Sequence, residues 1–254
     1  MNQNLIEEHP YESTIGAQTF LLVLLAMVIG TLAAALLLPS WMPNLANSLL
    51  GPDPKAFWYL SRGSAFVALT LLWVSMALGL GMTNKLARAW PGAPAAFAIH
   101  EYVSLLGLAF SIFHALILLG DHYIQFDLAQ IAVPFAASAY KPLWVGLGQV
   151  GFYVWLIVAL SFYVRSRIGP KTWRAIHYIS FLVWCMATYH GITSGSDTST
   201  SWAVAYYWVS CGSLMFLLMH RIVVSTVAKF TGAAMRQPAP SSNSHSPERD
   251  AGTV

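Results

Sequence analysis

Six stretches of this chain are almost unbroken runs of apolar side chains: residues 17–38, 57–82, 95–119, 143–164, 174–194 and 202–226. Each matches the length of about 20 mostly apolar residues that a helix needs to cross a bilayer's hydrocarbon core. The apolar stretch LAQIAVPFAASA (128–139) is too short to cross and contains Pro134, so it predicts a re-entrant or interfacial piece. The pattern therefore predicts an all-α fold, an integral membrane six-helix bundle over residues 17–226. An N-terminal segment, 1–16, precedes it and a tail, 227–254, follows. EEHPYE ahead of the first run has no Lys or Arg, so that run reads as a membrane helix rather than a cleaved signal peptide. The end of the tail, AKFTGAAMRQPAPSSNSHSPERDAGTV, is rich in Pro and Ser and poor in large apolar residues, which predicts disorder.

Composition supports the membrane reading. Of the 254 residues, 57% are hydrophobic and only 9% charged, against about 25% charged in ordinary soluble domains. Basic residues set the orientation. With six spans, the side holding both termini carries Lys85, Arg88, Arg165, Arg167, Lys171, Arg174, Arg221, Lys229, Arg236 and Arg249; the opposite side carries Lys55, Arg62 and Lys141. Both termini are thus expected in the cytoplasm, with the chain in an inner or plasma membrane of bacterial type. The net charge of +3 is modest and no basic patch suggests nucleic acid. Cys185 and Cys211 sit in apolar runs without CxxC or CxxCH spacing, so covalent haem attachment and a disulfide scaffold are not expected.

The histidines change the picture. Ionisable groups inside membrane spans are costly and usually face the bundle interior, yet His100 and His114 lie in the third run and His177 and His190 in the fifth. At about 1.5 Å per residue, each pair is separated by roughly 20 Å along its helix. Both helices start from the same side, so His100 and His177 share one depth, and His114 and His190 another. Two imidazoles at each of two levels suit two metalloporphyrins stacked across the bilayer. The angles are less simple. At about 100° per residue, His114 returns to within roughly 40° of His100, but His190 ends roughly 140° from His177. The fifth helix must be distorted, or its outer ligand approached from another side.

A lone membrane histidine more often serves helix contacts or a proton relay, so the weight rests on the matched pairs. A relay also needs acidic partners, and only Glu101 lies within a span. His122 and His220 fall at the ends of spans and read as interfacial.

With these residues in view, the chain resembles the ferric reductase-like transmembrane domain. That family includes ferric reductases, NADPH oxidases and the haem subunit of a bacterial methionine sulfoxide reductase system. The resemblance covers about 57–225 and rests on IHEYVSLLGLAFSIFH (99–114), GPKTWRAIHYISFLVWCMATYH (169–190) and, more weakly, LSRGSAFVALTLL (60–72). It implies two b-type haems, an inner one on His100 and His177 and an outer one on His114 and His190. It implies a catalytic place for Arg62 beside the outer haem, close to where the oxidase branch reduces oxygen; its position near the outer mouth of its helix also suits a cation paired with propionates, and an ordinary interfacial arginine is the other reading. Arg174 is either a partner for an inner propionate or a positive-inside anchor. Gly107 and Trp184, each midway between the histidines of its helix, suit either the gap between the two cofactors or plain bundle packing.

The departures from the family are also informative. No flavin or nicotinamide domain follows the last run, so a separate flavoprotein reductase or membrane quinol is the expected donor. His100 has no counterpart in the methionine sulfoxide reductase subunit, which favours the reductase and oxidase side. The function expected is a transmembrane cytochrome b passing electrons to an external acceptor: ferric iron, oxygen or a periplasmic redox protein. The alternatives are a subunit dedicated to reducing a periplasmic methionine sulfoxide reductase-type partner, and a transporter or proton channel with a histidine relay.

Overall fold

A computed structural model describes residues 15–41, 55–84, 86, 92–121 and 123–234. Lys85, Arg88, His122, the start of the N-terminal segment and the tail beyond Ala234 lie outside the described residues. Among the described residues the regular structure is entirely helical. Five helices are long and apolar enough to cross a membrane, over Ala17–Ala34, Ala56–Thr83, Ala93–Gly120, Pro142–Tyr163 and Ser201–Val227. This is the build of an integral membrane protein.

The helices are α1 (Ala17–Trp41), α2 (Ala56–Thr83), α3 (Ala93–Leu116), α4 (Leu128–Ala132), α5 (Pro142–Tyr163), α6 (Arg165–Ile168), α7 (Pro170–Tyr178), α8 (Ser180–Ser194) and α9 (Ser201–Ala234). Two starts share one device. Gly92 and Gly169 adopt φ of 99° and 80° as N-caps. A proline then occupies the first turn, where its missing N–H costs nothing.

Two boundaries differ from the hydropathy reading. The fifth apolar run is not one helix but two, α7 and α8, joined at Ile179. There the Ile179 N–H donates to the Ile176 carbonyl three residues back, at 3.0 Å, before the four-residue ladder resumes from Val183 to Ile179. Hydropathy cannot register such a break, because every residue around it stays apolar. The last helix runs through Ala234, past the expected start of the tail at 227. Falling hydrophobicity marked that boundary in the sequence, whereas Ala-rich AKFTGAA retains helix propensity.

α2 packs along α3, and α5 along α8; α1 lies against α3, and α9 against α2. The core between the two pairs holds Leu72, Met76, Leu108, Trp155, Val183 and Trp184. Gly107 admits a neighbour, as its position suggested. A Cβ there would lie 2.7 Å from the Trp155 indole.

The 128–139 stretch forms one short helix and a turn pinned to α5. Asp127 caps α4, its side chain accepting from the Gln130 N–H at 2.7 Å while Gln130 reaches back to the Asp127 N–H. The Gln149 amide donates to the carbonyls of Gln130 and Ile131, at 2.7 and 2.8 Å, and accepts from the Phe135 N–H at 3.1 Å. Tyr153 donates to the Ala132 carbonyl. Gln149→Leu removes three of these bonds and leaves their partners unmet, worth about 2 kcal/mol locally. Hydrogen exchange in 128–137 should accelerate while α2 and α3 keep their protection.

Candidate functional site

The four spanning-segment histidines meet in pairs between the α2/α3 and α5/α8 layers. The rings of His100 and His177 lie with centroids 6.1 Å apart, and those of His114 and His190 6.3 Å apart. The pairing is the one the depths predicted. The joint at Ile179 narrows the angular mismatch of the fifth run. A 3₁₀ turn advances about 120° per residue against about 100° in an α-helix, so three tightened residues recover roughly 60° of the mismatch.

Three of the rings are held by main-chain carbonyls of a neighbouring helix. The Nδ1–H of His100 donates to the Ser75 carbonyl at 2.9 Å, that of His114 to the Ser61 carbonyl at 2.8 Å, and that of His190 to the Trp144 carbonyl at 2.8 Å. A carbonyl can only accept, so Nδ1 carries the proton and Nε2 keeps its lone pair. This is how metal-ligating imidazoles are usually oriented. Ser61 and Ser75 contribute hydroxyls as well, at 2.9 Å from His114 Nδ1 and 3.2 Å from His100 Nδ1.

The sequence contains a signal for these two serines that hydropathy passes over. The interval from Ser61 to Ser75 equals that from His100 to His114, which matches two antiparallel helices. Gly148 is a second such residue. A Cβ there would fall 2.6 Å from His190 Nδ1, so only a glycine lets α5 lie against this ring.

Around the His114/His190 pair lies a cavity of about 480 Å³, walled by apolar side chains such as Leu69, Phe152, Trp155 and Val183. Arg62 and Asp197 stand on its lining, paired through both carboxylate oxygens: the Arg62 Nε–H donates to Oδ2 at 2.8 Å and Nη2 to Oδ1. Arg62 thus shares the cavity of the His114/His190 pair, but its protein partner was not foreseen, because Asp197 lies 135 positions away in a Ser/Thr-rich loop. Asp197 also closes the turn before α9, its carbonyl accepting from the Thr200 N–H and hydroxyl at 2.8 and 2.6 Å. The hydroxyl of Ser194, also on the cavity lining, is buried and has no hydrogen-bond partner among the described residues.

Among the described residues, Arg174 makes no contact with His177 that accounts for its placement. It is exposed, and the contact on the His177 ring comes from its neighbour Trp173, stacked at 5.3 Å and 28°. Both residues precede His177 by about one turn, and only the packed helix decides which of them turns inward. Trp184 is buried in the core. Glu101 is also buried, accepting from the Ile15 N–H at 3.4 Å near the start of α1. His220 has a buried Nδ1 without a hydrogen-bond partner among the described residues.

The spacing of each imidazole pair leaves room for one metal ion between its rings. A metal bound to two imidazole nitrogens at about 2 Å each, with each ring centre roughly 1.2 Å behind its nitrogen, sets those centres roughly 6 Å apart. Both observed separations agree with that spacing. No group of three or more His, Cys, Asp or Glu side chains is gathered among the described residues. Two protein donors per centre suit a metal whose remaining ligands come from a macrocycle, rather than one held by protein alone.

Comparisons with known protein families, curated proteins and solved structures found no match to this chain. Gly148→Ala drives a methyl into the His190 ring and its bond to Trp144. Overpacking of this kind costs about 1–3 kcal/mol. A lowered unfolding temperature in detergent, absent for Gly81→Ala in open space, is the expected result.

Proposed function

We propose that this chain is a six-span membrane cytochrome b of the ferric reductase-like type, with α7 and α8 together forming the fifth span. His100 and His177 would ligate the inner haem, and His114 and His190 the outer one. The observation that carries the reading is the pair of imidazole separations, 6.1 and 6.3 Å, each wide enough for one iron between the rings. When bound, two b-type haems supply one-electron transfer between the two sides of the membrane.

The protein's own part is positional. The carbonyls of Ser61, Ser75 and Trp144 fix three tautomers and aim three Nε2 atoms. The apolar core around Trp155 and Trp184 keeps water from the interval between the two levels. Arg62, paired with Asp197, places polar hydrogen-bonding groups on the outer cavity lining. Ser194 offers a free hydroxyl for a carboxylate group of a cofactor.

The asymmetry of basic residues supports a cytoplasmic location for both termini. A separate flavoprotein or quinol would donate electrons at the His100/His177 end, and ferric iron, oxygen or a periplasmic redox protein would accept them at the other. A histidine relay is less well supported. Three imidazoles have their Nδ1 protons committed to carbonyls, and Glu101 is engaged with the backbone at Ile15.

Purified protein from haem-replete cells should show reducible b-type bands and two haems per chain. His100→Ala should reduce the count to one and leave the outer haem in place. A colourless wild-type preparation, or loss of the outer haem alone in His100→Ala, would falsify the assignment.

A further inference from the structure

The four imidazoles are not held alike. His100, His114 and His190 each have Nδ1 on a main-chain carbonyl of another helix. His177 has no ring-nitrogen hydrogen bond among the described residues. Its ring lies nearly parallel to the indole of Trp173, four residues earlier in the short helix α7. The indole in turn rests on Phe162 at 6.2 Å, and Phe162 meets Phe97 of α3 at 5.8 Å. The Arg165 guanidinium covers the Phe162 ring at 3.8 Å. A ladder of rings thus runs from α3 through α5 to His177. Because α7 is separated from α8 at Ile179, that ladder, rather than a long rigid helix, sets where the His177 ring stands.

We propose that Trp173 is the positioning residue of the inner site, and that His177, held by a stack instead of a carbonyl, is the most readily displaced of the four iron ligands. This rests on the cytochrome reading above. A stack fixes the plane of a ring and leaves it free to slide, whereas an N–H···O=C bond fixes both the direction and the tautomer. The two centres are therefore unequal: the outer iron is gripped by two pinned rings and the inner by one. Trp173 does not touch an iron on this account and acts only through His177.

The test compares purified wild-type protein with Trp173→Leu, which keeps apolar bulk without a flat face, and Trp173→Phe, which keeps a stacking ring. Haem per chain, the low-spin signal and the response of the reduced protein to carbon monoxide are measured. His100→Ala supplies the spectrum of the outer haem alone. In the wild type both haems should be low-spin and inert to carbon monoxide at ambient pressure. In W173L one haem of the two should turn high-spin and bind carbon monoxide, or be lost, while the remaining spectrum matches that of H100A. W173F should restore the wild-type signature.

Two low-spin, inert haems in W173L would overturn the proposal, as would equal disturbance of both haems. If W173L does not accumulate, the wild type decides under raised carbon monoxide pressure. The inner haem should yield its ligand first, and simultaneous reaction of both overturns the inference. A wild type without haem sinks the cytochrome reading itself, so the two failures are distinguishable.

Discussion

The site depends on backbone carbonyls that serve two donors at once. In an apolar bundle few acceptors exist for an imidazole N–H, and leaving one unmet is costly. The carbonyls of Ser61 and Ser75 have a second lone pair beyond the one used in a helical ladder, and the α3 histidines take it. Each such bond ties α2 to α3, chooses the tautomer and turns Nε2 toward the facing helix. Moving either helix by one residue would lose all three effects together, which makes the α2/α3 register part of the site.

Glycines provide the other half of the constraint. Rings sit where a side chain is missing: Trp155 against Gly107, His190 against Gly148, Phe135 against Gly146 and Phe57 against Gly120. Close approach of this kind is common in membrane bundles, where packing rather than water exclusion draws helices together. Here it lets large flat groups lie between layers without pushing them apart. The polar exceptions cluster near the His114/His190 pair: Arg62 with Asp197, Gln149 on the α4 segment and Asp121 accepting from the Ile124 N–H. They fix the connections around the cavity and leave its interior apolar.

Much of this was legible in the one-dimensional pattern. Apolar runs, their lengths and the intervals between the histidines suffice for helices, for the pairing of His100 with His177 and His114 with His190, and for a close approach at Gly107. Even the difficulty in the fifth run was visible, as an angle that an ideal helix could not satisfy. Those features are local or periodic, and helical geometry converts them directly into depth and direction.

Other features needed the packed chain. The tightened joint at Ile179, the choice of Trp173 over Arg174 as the neighbour of His177, and the pairing of Arg62 with Asp197 each depend on which atoms meet across helices distant in sequence. Hydropathy counts residues on a single strand of chain and has no term for such encounters. Depth could be read along the helix axis; rotation about that axis, and the partner found there, was decided only when the layers closed.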